Sequence, residues 1–218
     1  MIKSFETEKS LVRNLAQVFE EKKPSRLKRI FAHTNLTTKK FKDIWMSWWE
    51  TDVPPRLEVD FIFAFEDIKK VIDNLLLVAV EVEFFRDIRK SFYDGLQQVL
   101  GFSLFGFDSL VLWHIFHERI SDEDIKSRVN AINEIINGFD LPIVYMATKI
   151  NEKSEFRFFA PIESYAYNKP DYLISYLMKL CSDKRNPLLS VDKKPFGPFR
   201  EEVRKRRKTL KVMLKIPA

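Results

Sequence analysis

A layered α/β fold with a mixed sheet is what this sequence predicts, and three observations predict it. Two runs rich in β-branched and aromatic residues, 57–65 and 75–85, are separated by a polar segment at 66–74 that can turn the chain. Segments with helical periodicity alternate with further short apolar runs, giving the order helix, strand, strand, helix, strand, helix, strand. The 218 residues are 45% hydrophobic, with 20 Phe and 4 Trp, enough to bury a core as one domain with an appendage.

Residues 6–22 form an amphipathic helix in this reading, with Leu11, Leu15, Val18 and Phe19 at helical spacing. Residues 25–55 read as an insertion, basic at first (Arg26, Lys28, Arg29, Lys39, Lys40, Lys42) and then aromatic (Phe41, Trp45, Trp48, Trp49). The aromatic stripe suits core or dimer contact, and Pro54-Pro55 ends it. After the two strands, residues 87–105 read as a helix stopped at Gly106, and 109–116 as a buried strand. A helix over 122–137 starts after the Ser121 cap and ends at Gly138. Strands over 141–148 and 155–161 follow, then a helix over 170–181. The expected division is an α/β domain at 1–164 and a helical, basic C-terminal extension at 165–218.

The formal charge of +6 favours a polyanionic partner. Only 5 Gly, with no GxGxxG and no GxxxxGK[ST], argues against a glycine-rich phosphate cradle. Cys181 is the single cysteine, so there is neither a disulfide framework nor a cysteine zinc site. His33, His114 and His117 read as ordinary surface or half-buried residues. The charged first ten residues do not resemble a signal peptide, and no apolar run is long enough to span a membrane. A cytoplasmic protein without membrane contact is therefore expected.

The chemistry-bearing feature is the carboxylates inside the two strands. A hairpin about 66–74 pairs residues whose numbers sum to about 141, which sets Asp60 opposite Glu81 and Glu58 opposite Glu83 on one face. Alternating acids also fit a wet strand face. The neighbouring run 75–80 is too apolar for a surface strand, however, and buried carboxylates that face each other favour a divalent cation. The run at 199–215 carries Arg200, Arg204, Lys205, Arg206, Arg207, Lys208, Lys211 and Lys215. It reads as a solvated helix face, as a contact for a phosphate backbone, or as a segment docked through Val203, Leu210, Val212 and Leu214.

Glu58-Val59-Asp60, Glu81-Val82-Glu83 and Tyr93-Asp94-Gly95-Leu96-Gln97-Gln98, in this order, resemble the PD-(D/E)xK nuclease superfamily over about residues 57–148. The proportions are most similar to archaeal Holliday-junction resolvases and related archaeal or viral nucleases. The resemblance implies a restriction-endonuclease-like core: a central mixed β-sheet flanked by helices, here with a basic C-terminal extension. It implies a Mg2+- or Mn2+-dependent endonuclease hydrolysing phosphodiesters of DNA, on branched or structured substrates, as a homodimer. Asp60 and Glu81 would hold the metal, Gln97 would orient a water or side chain, and Glu8 or Glu20 would add a carboxylate from the first helix. Arg204, Lys205, Arg206, Arg207 and Lys208 would meet nucleic acid. The chain departs from the motif at Glu83, where the family has Lys. Glu83 would then complete the coordination or act as general base, with Lys90 as the migrated lysine. The same departure also fits a nuclease-fold module that binds DNA without cutting. An oligomeric assembly protein using its aromatic surface is the third expectation.

Overall fold

The computed structural model describes residues 7–36, 39, 42–43, 57–189 and 198–216. The aromatic stripe at Phe41, Trp45, Trp48 and Trp49 lies outside them. The chain opens with helix α1 (Glu8–Glu21), whose N-terminus is fixed by a reciprocal box: Thr7 accepts from the Ser10 amide and Ser10 from the Thr7 amide, both at 3.2 Å. Leu11, Val12, Leu15 and Phe19 form its buried stripe.

A six-stranded sheet follows in the order β1-β2-β3-β4-β5-β6. Strands β1 (Leu27–Asn35), β2 (Glu58–Glu66) and β3 (Leu75–Phe85) form an antiparallel meander. Strands β4 (Ser109–His117) and β5 (Ile143–Ile150) run parallel to β3, and β6 (Phe156–Ala160) returns antiparallel to β5. The β2–β3 register pairs Phe61 with Val80 and Glu66 with Leu75, so partner numbers sum to 141 as the polar turn implied. Strand β1 falls inside the segment read as an insertion. As an edge strand it carries exposed Lys28 and Arg29, so it lacks the apolar alternation of a half-buried strand.

Helices α2 (Asp94–Phe102) and α3 (Asp122–Gly138) make the parallel crossovers. Helix α2 starts seven residues after the sequence-predicted position at 87, because residues 86–93 form a bent loop. A 3-10 turn, Ser103–Phe105, ends at Gly106, whose φ of 87° suits only glycine; a Cβ there would lie 2.5 Å from the Arg207 amide nitrogen. Helices α4 (Pro170–Asp183) and α5 (Pro198–Met213) follow among the described residues.

Side chains alternating along the strands build one apolar layer on each sheet face. One layer joins Ile62, Ala64, Leu77 and Phe85 to α2, α3 and α5; the other joins Phe61, Phe63, Val78 and Val80 to α1 and α4. The result is an open mixed sheet between two helical layers. Among the described residues no helix is long and apolar enough to cross a membrane.

The basic C-terminal segment is docked, not a free arm. Val203, Leu210 and Leu214 are buried, while Val212 is exposed. Arg207 is 3% exposed and bridges Asp108 at 2.6 Å and Asp73 at 3.1 Å, tying α5 to the β2–β3 turn and the start of β4.

Candidate active site

Strand β2 contributes Asp60 on the face that carries Ile62 and Ala64 into the core, and β3 contributes Glu81 and Glu83 between Ala79 and Phe85 on the same face. Antiparallel register and period-two alternation bring the three together, as the sequence implied. The Asp60 carboxylate accepts the Val82 amide at 2.9 Å, which fixes it against the neighbouring strand. Glu81 accepts from the Gln98 side-chain amide at 3.0 Å, and the same amide donates to the Glu58 carbonyl at 2.9 Å. Glu83 meets Lys90 at 2.5 Å. Gly95 makes room for that carboxylate, since a Cβ there would stand 2.8 Å from Glu83 Oε1.

Lys90 reaches the site because the 86–93 loop folds back over the end of β3. Its ammonium also lies 2.7 Å from Glu8, whose carboxylate accepts the Phe84 amide at 2.8 Å. The first-helix carboxylate of the site is therefore Glu8, placed by the capped start of α1. Glu20, at the other end of that helix, pairs with Lys23. On β1, the pairs Ala32–Phe61 and Thr34–Val59 set His33 opposite Asp60. His33 has a left-handed backbone (φ 50°), and its Nδ1 lies 3.0 Å from Glu58 and 3.6 Å from Asp60, while Nε2 lies 3.3 Å from the Lys9 carbonyl.

Negative charge dominates this cluster. Burial pushes Asp60 up to about 7, aided by Glu8, Glu58 and Glu83 and opposed by the Val82 hydrogen bond. Burial pushes Glu81 up to about 10, with Asp60, Glu83 and Glu8 adding repulsion. Glu83 is raised by burial against the pull of Lys90. Burial alone would lower Lys90, but its hydrogen bonds to Glu8 and Glu83 outweigh that and hold it above the ordinary lysine range. Five carboxylates thus face one ammonium, and hard oxygen donors in excess are what a divalent cation binds. Among the described residues no three His, Cys, Asp or Glu side chains converge in metal-holding geometry. The donor chemistry fits such an ion, with Asp60 and Glu81 the pair least compensated by Lys90.

Of the expected residues, Asp60, Glu81, Glu83 and Lys90 come together here, and Gln97 does not. Gln97 is exposed, and Gln98 takes the position on Glu81. Helical spacing carries that signal: Gln98 lies three residues after buried Gly95 and four before buried Phe102, whereas Gln97 points to the opposite side. His33 had no comparable signal, because its strand was not legible.

The five expected phosphate-binding cations divide. Arg206 is buried and donates to the Leu104 carbonyl at 3.0 Å, and Arg207 is committed to Asp108 and Asp73. Neither faces solvent, because the stripe that docks α5 runs through them. Arg204 pairs with Glu201 at 2.9 Å, Lys205 with Glu202 at 2.6 Å, and Lys208 is exposed. These three sit by the 67–74 turn, at the far end of the β2–β3 hairpin from Asp60, about 20 Å away along six strand residues. His114 is fully buried against Tyr145, whose hydroxyl lies 3.0 Å from Nδ1, and burial lowers it to about 3. No protein-family model matches the chain, and no curated protein or solved structure matches it.

Proposed function

We propose that the protein is a metal-dependent deoxyribonuclease of PD-(D/E)xK type with a restriction-endonuclease-like core, hydrolysing phosphodiesters in branched or structured DNA. The observation that carries this reading is the seating of loop-borne Lys90 on Glu83 beside Asp60 and Glu81. It supplies from the loop the cation that the motif strand lacks. A Mg2+ or Mn2+ ion held by Asp60 and Glu81 would supply Lewis acidity and acidify bound water. Gln98 orients the Glu81 carboxylate, and the Val82 amide orients Asp60. Glu83, raised by burial, accepts a proton from the attacking water. The water oxygen forms the new bond to phosphorus as the bridging oxygen leaves. Lys90 offsets the negative charge growing on the phosphate. Exposed Lys9, Arg86 and Arg89 border the site and suit flanking phosphates.

The test is cleavage of labelled branched, duplex and single-stranded DNA with Mg2+ or Mn2+. Absence of cleavage by the wild type, or undiminished cleavage by Asp60→Ala, would sink the proposal. Glu83 in the motif's lysine position favours a second reading, a module that binds DNA without cutting. That reading requires DNA affinity without cleavage, and Mn2+ binding indifferent to Glu81→Ala. A homodimer is part of the first reading, because two strands need two sites; light scattering on the eluting protein would refute it by giving a monomer mass.

A further inference from the structure

A concave groove of about 800 Å3 lies between α5 and the β2–β3 turn. Its apolar lining is Ile72, 36% exposed, Val212, 60% exposed, and Ile216. Arg204, Lys205, Lys208 and Lys211 rim it, and Arg207 lies in its floor. Against these five cations stand four acids, Asp73 and Glu201 in the lining and Glu202 and Asp108 paired with Lys205 and Arg207, which leaves a surplus of one positive charge.

We propose that this groove docks an acidic amphipathic helix of a partner protein. The α5 positions 201, 204, 205, 208, 211 and 212 fall on one helical stripe, so the groove presents about three turns, roughly 16 Å, to a partner lying alongside. Such a helix places apolar residues on Ile72 and Val212 and carboxylates on Lys208 and its neighbours, the helix-in-groove mode of recognition. The walls are preformed, because Asp73 holds Lys211 at 3.1 Å and Arg207 at 3.1 Å, and little ordering remains to be lost on binding. Charge and shape together select the occupant. A phosphate backbone matches the cations but offers no apolar surface to bury at Val212 and Ile72. The groove also lies about 20 Å from the carboxylate cluster, at the opposite end of β2 and β3. The inference stands whether or not the carboxylate cluster cleaves DNA.

The test uses the full chain and a fluorescein-labelled peptide of Glu and Leu, with Leu at helical i, i+3, i+4, i+7 spacing. Controls are its Lys/Leu counterpart, a scrambled peptide of equal composition and a short DNA duplex. Saturable binding of the Glu/Leu peptide is expected, weakened about ten-fold by Lys208→Glu and also by Val212→Asp, with DNA affinity unchanged. Both substituted positions are exposed, and unchanged melting temperatures confirm intact folding. The proposal is overturned if the Glu/Leu peptide does not bind or if the scrambled peptide binds equally. It is equally overturned if the two substitutions lower DNA affinity instead, or if they dissociate a dimer whose second copy fills the groove.

Discussion

Arg207→Ala is expected to destabilise the fold heavily, and by more at neutral than at acidic pH. Arg207 and Asp108 are each 3% exposed and lie 2.6 Å apart, and Arg207 also donates to the Leu75 carbonyl at 2.9 Å. Removing one partner of a buried pair leaves the other charge uncompensated, at a cost of about 3–5 kcal/mol. For a chain of this size that lowers Tm by about 6–20 °C. Burial already lifts Asp108 from 3.8 to about 6 against the pull of Arg207, and without the guanidinium it must rise further. A carboxyl whose folded pKa exceeds its unfolded value binds its proton more tightly when folded. Stability from that proton is therefore full below the unfolded pKa and is lost as pH rises through the folded one. In the wild type the loss levels off about one unit above pH 6; in the variant it continues further upward. If the folded variant holds that proton ten times more tightly than the wild type, the penalty is about 1 kcal/mol larger at pH 7 than at pH 5. Urea unfolding at both pH values measures this, with Lys208→Ala as a surface control expected within about 0.5 kcal/mol of wild type. A loss below about 1 kcal/mol, identical at both pH values, would refute the argument that a buried charge pair docks α5.

Three further outcomes follow from the carboxylate cluster. Gln98→Ala should slow DNA cleavage about 10–100-fold in single-turnover assays while Gln97→Ala leaves it unchanged; equal effects would remove Gln98 from the site. Without divalent metal, Tm should fall from pH 5 to pH 8, because Asp60 at about 7 and Glu81 at about 10 hold protons in the fold that the unfolded chain releases. The cost is about 1.4 kcal/mol per pH unit for each proton so held. Mn2+ should raise Tm more at pH 8 than at pH 5, and calorimetry showing a pH-independent gain would contradict this. Gly95→Ala should impair cleavage and lower Tm, since the new Cβ would sit 2.8 Å from Glu83 Oε1 and 2.9 Å from the buried Leu112 Cδ1. A fully active variant would show that Glu83 is free to move aside.

The paired strands were readable because a buried hairpin writes its register in the sequence: apolar runs on either side of one polar turn admit few pairings, and Asp60 and Glu81 fell opposite each other. Strand β1 was not readable, because an edge strand with Lys28 and Arg29 facing water lacks the alternation that marks its neighbours. His33, placed by that strand, was hidden with it. Lys90 was identifiable as a candidate cation, but residues 86–93 resemble the start of a helix until they are seen folding back onto Glu83. Arg206 and Arg207 show the limit of reading charge runs. Their carbonyl and carboxylate partners lie about a hundred residues or more upstream, and composition does not record such contacts.

The clamp at Arg207 also bears on the order in which the chain assembles during synthesis. Its partners Asp108 and Asp73 precede it by 99 and 134 residues. A nascent chain that has emerged only through β6 holds every strand of the sheet, yet the Asp108 carboxylate still lacks its cation and Gly106 still lacks the backbone packed against it. Contacts of such separation form late, after the local hairpin and the helical crossovers. Helix α5 therefore acts as a completion step: its emergence, not synthesis of the sheet, sets the moment when the far end of the hairpin becomes stable. Truncated chains ending before α5 should accumulate as protease-sensitive sheets with intact strand order and a loose β2–β3 turn.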